Sequence, residues 1–199
     1  MGEREKRRKQ MKDLGLLHNT FQHLVSIAER NSMADQVSTI EQKPPLGWLD
    51  CPPQSKPIGF FVASKTPLSS AYDSHIPQNQ RYSPHQSLKL AESVGMKITM
   101  VIDLTNTSRY YDPVVFERED IRYVKIQCRG RDGPPDSCAT SKFIYTVQSH
   151  RAIIGLEGYS NDYKSGILVH CTHGFNRTGS MIVHYLQRSE QWPDLNKYI

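Results

Sequence analysis

The sequence predicts an α/β protein with a largely parallel central sheet flanked by helices. Three apolar segments are typical of strands, at residues 97–104, 121–127 and 167–170. Two segments with apolar residues at helical spacing, 139–154 and 178–188, lie between and after them. Strands that alternate with helices favour parallel pairing, because a parallel pair needs a long crossover connection.

The three strand segments differ in how they are expected to be buried. Residues 97–104 (KITMVIDL) are almost continuously apolar and end in a polar turn, as expected of a strand buried on both faces. Residues 121–127 (IRYVKIQ) alternate apolar and polar side chains, which is typical of a half-buried strand. Residues 167–170 (ILVH) form a third, short strand that leads into a polar loop.

The helices and the preceding covering segment complete the predicted domain. Helix 139–154 presents Phe143, Val147 and Ile154 as its apolar positions, and helix 178–188 follows the polar loop. Residues from about 44 to 93 are rich in Pro, Ser and Gln. We expect them to form an irregular covering segment with one or two short strands.

The chain has 199 residues, which predicts one domain with a tail. Residues 1–43 are interpreted as a basic N-terminal extension, partly helical or disordered, with an amphipathic stretch at 14–28. Residues 44–199 are interpreted as the domain. The net charge of +5 is compatible with an anionic partner such as nucleic acid.

The composition disfavours several classes of protein. The four cysteines include no Cys-x-x-Cys pair, which disfavours a disulfide scaffold or a zinc ribbon. No apolar run approaches the ~18–20 residues that span a bilayer. We therefore expect neither a structural metal nor a membrane-spanning segment.

The loop after the third strand carries the chemistry. Cys171 and Arg177 are separated by five residues, with His170 before them, Gly174 between them and Thr178 directly after. A loop wrapped at a helix N-terminus directs backbone N–H groups at one point, which favours a phosphate and stabilises a thiolate. The alternative is that Cys171 is a structural thiol in an ordinary turn, and the coincidence of features disfavours it.

These residue types predict a phosphate-transfer site. Cys171 is the candidate nucleophile, Arg177 offers a planar fork to phosphate oxygens, and the Thr178 hydroxyl is placed to hydrogen-bond the thiolate. The candidate phosphate-binding residues are Thr172, His173, Gly174, Phe175, Asn176, Arg177 and Thr178.

The loop resembles the signature of the cysteine-phosphatase superfamily. Its filling, Thr172 to Asn176, is similar to that of the RNA 5′-triphosphatase domain of mRNA capping enzymes, in particular the plant-type domain. The resemblance extends over roughly residues 44–188. Further matching segments are 45–52, 65–68, 81–82, 101–111, 130–132 and 181–186.

The resemblance implies a fold, a reaction, a cellular location and candidate partners. The fold is the dual-specificity-like cysteine-phosphatase fold. The reaction is removal of the γ-phosphate from 5′-triphosphorylated nascent mRNA through a cysteinyl-phosphate, without metal or cofactor, as the first step of capping. The implied location is the nucleus. RNA polymerase II and a guanylyltransferase are candidate partners, and no membrane is involved.

A general acid is less obvious than the nucleophile. Asp103, at a strand end, is the candidate catalytic carboxylate, although it is equally suited to capping a turn. Asp132 and Asp136 lie near the position where related phosphatases keep an acid, and turn residues of this type are common. The candidate cations for an approaching triphosphate and RNA backbone are Arg109, Lys125, Arg129 and Arg131.

The sequence also departs from the resemblance. The Lys-x-Asp-Gly nucleophile of a guanylyltransferase is absent, and similarity stops after about Arg188, so we expect a phosphatase domain that is incomplete at its C-terminus. Two alternatives stay open. One is a dual-specificity protein tyrosine phosphatase with the same chemistry at Cys171 and Arg177. The other is a non-catalytic, truncated relative.

Overall fold

A computed structural model describes residues 42–129, 133–156 and 164–188. Within these ranges the predicted α/β class and its parallel sheet are confirmed. The amphipathic stretch at 14–28 and the divergence after Arg188 lie outside the described residues.

Strands and helices alternate along the described chain. The strands are β1 (Phe61–Lys65), β2 (Met96–Asp103), β3 (Arg122–Lys125) and β4 (Lys164–Cys171). The helices are α1 (Pro84–Ser93), α2 (Val114–Glu117), α3 (Ser137–Leu156) and α4 (Asn176–Arg188). Among the helices of these ranges, none is both long and apolar enough to cross a membrane.

The four strands form one sheet in the order β1-β4-β2-β3, and every neighbouring pair is parallel. Asp103 at the end of β2 pairs with Lys125 on β3 and with His170 on β4. On the other side of β4, Cys171 pairs with Lys65 at the end of β1. Because parallel strands end at the same edge, this register gathers the polar strand ends at one edge of the sheet.

Apolar side chains fill both faces of the sheet. Met100 and Val169 face one layer, which includes Phe143 of α3 and several residues of α4. Val101 and Leu168, adjacent to them along the strands, face the opposite layer with Trp48 and residues of the covering segment. The sheet is therefore buried on both sides, as the nearly continuous apolar run of β2 predicted.

The covering segment is more regular than predicted. Residues 84–93, expected to be irregular, form helix α1. Ser83 accepts a hydrogen bond from the N–H of Gln86, whose side chain accepts one from the N–H of Ser83, and Pro84 occupies the first turn. This capping box was visible in the sequence and outweighs the polar composition of the helix. The predicted helices at 139–154 and 178–188 each begin two residues earlier, at 137 and 176.

Candidate active site

The predicted loop connects β4 directly to helix α4. Cys171 is the last residue of β4, residues 172–175 form the loop, and α4 begins at Asn176. The loop folds back over the cysteine, so that the N–H of Gly174 donates a hydrogen bond to Cys171 Sγ at 3.3 Å. A strand end and a helix N-terminus thus enclose the candidate nucleophile, as the spacing of the motif predicted.

Gly174 is required by the close approach of the loop to strand β1. Its φ is +83°, in the left-handed region that favours glycine. A Cβ at this position would lie 2.7 Å from the carbonyl carbon of Ser64 and 2.8 Å from the backbone nitrogen of Lys65. The N–H of Thr66 donates to the carbonyl oxygen of Thr172 at 3.2 Å, which ties the loop to the same strand.

The surroundings of Cys171 favour its thiolate. Burial alone would raise the pKa of this buried thiol, but the Thr178 hydroxyl, the backbone N–H groups of Thr178 and His173, and the Arg177 charge together lower it. Among the described residues, no acceptor lies within hydrogen-bonding geometry of the buried Thr178 hydroxyl in the resting arrangement, so this hydroxyl is not committed to another group and can donate to the thiolate. By contrast, burial raises the pKa of the nearby Cys128 to about 11.

Replacing Thr178 by alanine is expected to raise the pKa of Cys171, because it removes the hydroxyl that donates to the thiolate. The thiol form is inactive, so activity and alkylation are lost as the pH falls through this pKa. The acid limb of both pH profiles is expected to move to higher pH in the variant. The measurement is the rate of iodoacetamide alkylation of Cys171 as a function of pH.

Conservative replacement of Thr178 by serine is the matched control, since it keeps the hydroxyl and should keep the profile close to that of the parent chain. Identical alkylation profiles for Thr178→Ala and the parent chain would contradict the assigned role of this hydroxyl. Alkylation at Cys138, which is exposed on α3, is followed separately by mass spectrometry.

Arg177 is held in place by three acceptors. One guanidinium nitrogen donates to the carbonyl oxygens of Leu104 at 3.2 Å and Cys128 at 3.1 Å. The other terminal nitrogen donates to Thr172 Oγ1 at 2.9 Å. The segments that follow β2 and β3, together with the loop itself, therefore orient the guanidinium before any substrate binds, which is how pre-organised electrostatic stabilisation works.

Two cavities meet at the loop. The first has a volume of about 270 Å³ and is lined by Cys171, Phe175 and Asn176 together with Cys51 from the covering segment. The second is about 600 Å³, and both share His173 and Arg177 as lining residues. The other residues that line the second cavity are Pro45, Leu46, Asn106, Thr107, Arg109, Tyr110 and Thr172.

The predicted substrate-binding arginines have different positions. Arg109 is exposed and lines the second cavity together with Arg177. Arg129 is also exposed but lines neither cavity. Arg131 and Asp132 lie outside the described residues. Asp136 accepts a hydrogen bond from the N–H of Ala139 at 2.7 Å and thus caps helix α3, the turn role weighed for it above.

Asp103 is the last residue of β2, where it pairs with His170 of β4, and its carboxylate is surrounded by hydrogen-bond donors. Its carboxylate accepts hydrogen bonds from Lys125 Nζ at 2.7 Å, from the Tyr123 hydroxyl at 2.9 Å, and from both the N–H and the hydroxyl of Thr105 at 2.7 Å. Burial opposes ionisation, but the neighbouring His170 and Lys125, with these hydrogen bonds, lower the pKa of Asp103. Donors occupy both carboxylate oxygens, and Asp103 lines neither of the two cavities at the loop, so the geometry argues against Asp103 as the general acid.

Lys125, predicted as a cation for an approaching phosphate, is engaged by acceptors of its own chain. Its ammonium group donates to Asp103, to Thr105 Oγ1 at 2.7 Å and to the carbonyl oxygen of Thr107 at 2.6 Å. Sequence reasoning also missed residues that line the cavities, namely Leu46, Cys51, Asn106 and Thr107. They lie in segments 45–52 and 101–111, which carry the family resemblance, and that resemblance was the signal that could have found them; their place beside the loop depends on how separate segments pack.

The loop histidine contributes to the shape of the site. His173 Nε2 donates to the carbonyl oxygen of Leu46 at 2.8 Å, which holds residues 45–46 beside the loop. Within residues 42–129, 133–156 and 164–188, no three His, Cys, Asp or Glu side chains are grouped so that they could hold a metal ion.

Comparison with known proteins matches this architecture to one family. The model of the dual specificity phosphatase catalytic domain matches residues 82–199. The mRNA-capping enzyme of Mus musculus is 36% identical over 156 residues, covering 75% of this chain. An RNA/RNP complex-1-interacting phosphatase homolog of Caenorhabditis elegans is 34% identical and covers 63% of the chain and 52% of its own length.

A viral relative is matched over more of its own length. The tyrosine-protein phosphatase of Autographa californica nuclear polyhedrosis virus is 37% identical, and the match covers 65% of this chain and 70% of that protein. The chain spans about a quarter of the length of the mRNA-capping enzymes it matches. The loop geometry and these relatives agree: the chain belongs to the dual specificity phosphatase catalytic-domain family and is a hydrolase of the cysteine-phosphatase type, similar to the corresponding part of mRNA-capping enzymes.

Proposed function

We propose that the chain removes the γ-phosphate from the 5′ end of triphosphorylated RNA, through a cysteinyl-phosphate at Cys171. The observation that carries the proposal is the second cavity, because it continues from the loop and adds Arg109 to Arg177. A phosphate monoester needs the first cavity alone. A 5′-triphosphate has two further phosphates, and the second cavity offers them a second guanidinium and room of about 600 Å³.

The backbone that carries Arg109 is tied to the domain, whereas its side chain is exposed. Its N–H donates to Thr107 Oγ1 at 3.3 Å, and its carbonyl oxygen accepts from the Tyr72 hydroxyl at 3.2 Å. The guanidinium carbon lies 5.3 Å from the centroid of the Tyr110 ring. A fixed backbone with an exposed guanidinium suits a residue that binds a charged chain entering from solvent. With the γ-phosphate in the loop, Arg109 would contact the β- or α-phosphate.

The proposed reaction has two displacements. In the first, Cys171 Sγ forms a bond to the γ-phosphorus, and the bond from that phosphorus to the bridging oxygen breaks. The electron pair of this bond stays on the β-phosphate, so RNA 5′-diphosphate leaves. In the second, water attacks the cysteinyl-phosphate, Sγ departs as a thiolate, and inorganic phosphate is released with the protons of water. Arg177 and the loop N–H groups neutralise charge on the transferred group in both steps.

The leaving group relaxes the need for a general acid. A terminal diphosphate is a far weaker base than an alkoxide, so it can leave without full protonation. This fits a site in which Asp103 is ionised and engaged with Lys125, Tyr123 and Thr105. We therefore assign Asp103 no proton transfer in the proposed reaction, and we propose that no metal ion takes part.

The names of the relatives support an RNA substrate. Two groups of similar proteins are named for mRNA capping or for an RNA/RNP complex. We propose by extension that this chain acts in the nucleus on nascent mRNA, in the first step of capping, alongside RNA polymerase II or a guanylyltransferase.

The test is single-turnover release of γ-phosphate from 5′-triphosphorylated RNA in excess chelator. We expect release by the parent chain, and a loss of about 10- to 100-fold in kcat/KM for Arg109→Ala, since hydrogen bonds to charged groups contribute about 1.5–3 kcal/mol. Arg118→Ala, which removes another exposed arginine remote from both cavities, is the matched control. Absence of release from folded protein would refute the proposal.

Similarity to the viral tyrosine-protein phosphatase favours one second candidate, a protein phosphatase that uses the same cysteine. The two candidates differ in what Arg109 does. Turnover of a phosphotyrosine peptide with higher kcat/KM than the triphosphorylated RNA, and insensitive to Arg109→Ala, would replace the RNA assignment with this one.

A further inference from the structure

We propose that Lys125 is a positioning residue that holds the segment 103–109 in the shape needed to bind a polyphosphate chain. The inference rests on the proposed function, since it assigns Lys125 a role in binding the phosphates beyond the γ-phosphate. It concerns how Arg109 is placed, and not the chemistry at Cys171.

The ammonium of Lys125 is fully used on one short segment. An ammonium has three N–H donors. Lys125 Nζ contacts Asp103 Oδ2 at 2.7 Å, Thr105 Oγ1 at 2.7 Å and the carbonyl oxygen of Thr107 at 2.6 Å. The acceptors belong to alternate residues of one segment, so a single side chain of β3 fixes the course of the chain after β2.

Thr107 makes hydrogen bonds to both Lys125 and Arg109 and so connects the two residues. Its carbonyl oxygen accepts from Lys125, while its hydroxyl oxygen accepts from the backbone N–H of Arg109 at 3.3 Å. Thr107 and Arg109 both line the second cavity. Without Lys125 the carbonyl of Thr107 keeps only the Thr105 hydroxyl, at 2.9 Å, as a donor. The segment that presents Arg109 then loses its charged contact with strand β3, although Tyr72 still donates to the carbonyl oxygen of Arg109.

Segment 103–109 also contacts Arg177, but Arg177 has further acceptors outside this segment. The carbonyl oxygen of Leu104 is one of three acceptors of the Arg177 guanidinium, and the other two, Cys128 O and Thr172 Oγ1, do not depend on the segment. Loss of Lys125 should therefore impair hydrolysis of a triphosphate more than hydrolysis of a small monoester, which needs the loop and Arg177 but not Arg109.

Tyr123 provides a matched control on the same strand. Its hydroxyl donates to the same carboxylate oxygen, Asp103 Oδ2, at 2.9 Å, and among the described residues no hydrogen bond joins it to Thr105 or Thr107. Tyr123→Phe removes a donor to Asp103 and leaves the three hydrogen bonds of Lys125 intact. Lys125→Met removes those three hydrogen bonds and keeps most of the apolar part of the lysine side chain.

The experiment compares kcat and KM for 5′-triphosphorylated RNA and for p-nitrophenyl phosphate. For Lys125→Met we expect the ratio of the two kcat/KM values, triphosphate over monoester, to fall about tenfold, chiefly through KM of the triphosphate. For Tyr123→Phe we expect this ratio to change less than about twofold. In a double-mutant cycle, Lys125→Met should add less than about threefold on the Arg109→Ala background, because both changes act on the same contact.

Three results would overturn the inference: equal losses on both substrates, full additivity with Arg109→Ala, or the same ratio change in Tyr123→Phe. If Lys125→Met does not fold, Asp103→Asn/Lys125→Met removes the unpaired buried carboxylate charge and is measured in its place. Failure of the parent chain to hydrolyse the triphosphate refutes the proposed function itself. Hydrolysis by the parent chain with an unchanged ratio in the variant refutes only the role of Lys125.

Discussion

Replacing Cys171 by serine is expected to abolish phosphate release, by about 10⁴-fold or more in kcat. A serine hydroxyl keeps the size of the side chain but is not ionised near neutral pH, whereas the donors around Cys171 lower the pKa of the thiol. The loop, Arg177 and the cavities would be unchanged, so the variant should still bind substrate. The measurement is single-turnover release of γ-phosphate, with trapping of a phosphoenzyme by rapid acid quench.

Cys138→Ser is the matched control, because Cys138 is an exposed cysteine on α3 outside both cavities. It should retain the activity of the parent chain. Release at the rate of the parent chain from Cys171→Ser, or a phosphoenzyme formed on another residue, would show that the nucleophile has been assigned incorrectly.

Replacing Gly174 by alanine is the second large effect that we expect, both on stability and on activity. The new methyl group would lie 2.7–2.8 Å from backbone atoms of Ser64 and Lys65, and φ is +83°. Neither the strand nor the loop can yield cheaply, since the contact is with backbone. We expect a loss of about 2–4 kcal/mol in the free energy of unfolding, and activity reduced by more than about 100-fold in the folded fraction.

Gly179→Ala is the paired control, five residues further along. A Cβ there meets nothing within 4 Å, and the residue lies inside helix α4, where alanine is favoured over glycine by roughly 0.5–1 kcal/mol. Urea unfolding should show this variant to be as stable as the parent chain or more stable. If Gly174→Ala proves equally harmless, the loop does not lie against β1 as described.

Local sequence signals were sufficient for strands β2, β3 and β4 and for helices α3 and α4. The continuous apolar run of β2, the helical spacing in α3 and the strand-loop-helix order around Cys171 each depend on neighbouring residues, and each appears in the structure. Helix α1 was missed because its polar composition was given more weight than the capping box at Ser83 and Gln86. That signal was present, and it was local.

The loop could also be predicted from residues that are close together in the sequence. Cys171, Gly174, Arg177 and Thr178 lie within eight consecutive residues, so the turn from strand to helix fixes their relative positions. The chemistry that they suggest could therefore be argued before any fold was known. The structure places these residues together between β4 and α4. Their catalytic roles stay predictions until the variants are measured.

The fold class and the loop from Cys171 to Thr178 could be predicted from neighbouring residues, whereas the distant polar residues that lie beside this loop could be identified only from the tertiary structure. Arg109 and Arg129 were equivalent candidates in the sequence, yet only Arg109 lines a cavity with Arg177. Asp103 was a candidate acid, but parallel pairing of β2 with β3 places Lys125 beside it. The environment of a side chain depends on strands and loops that are distant in sequence. Strand register and packing bring these segments together, and neither can be read from neighbouring residues.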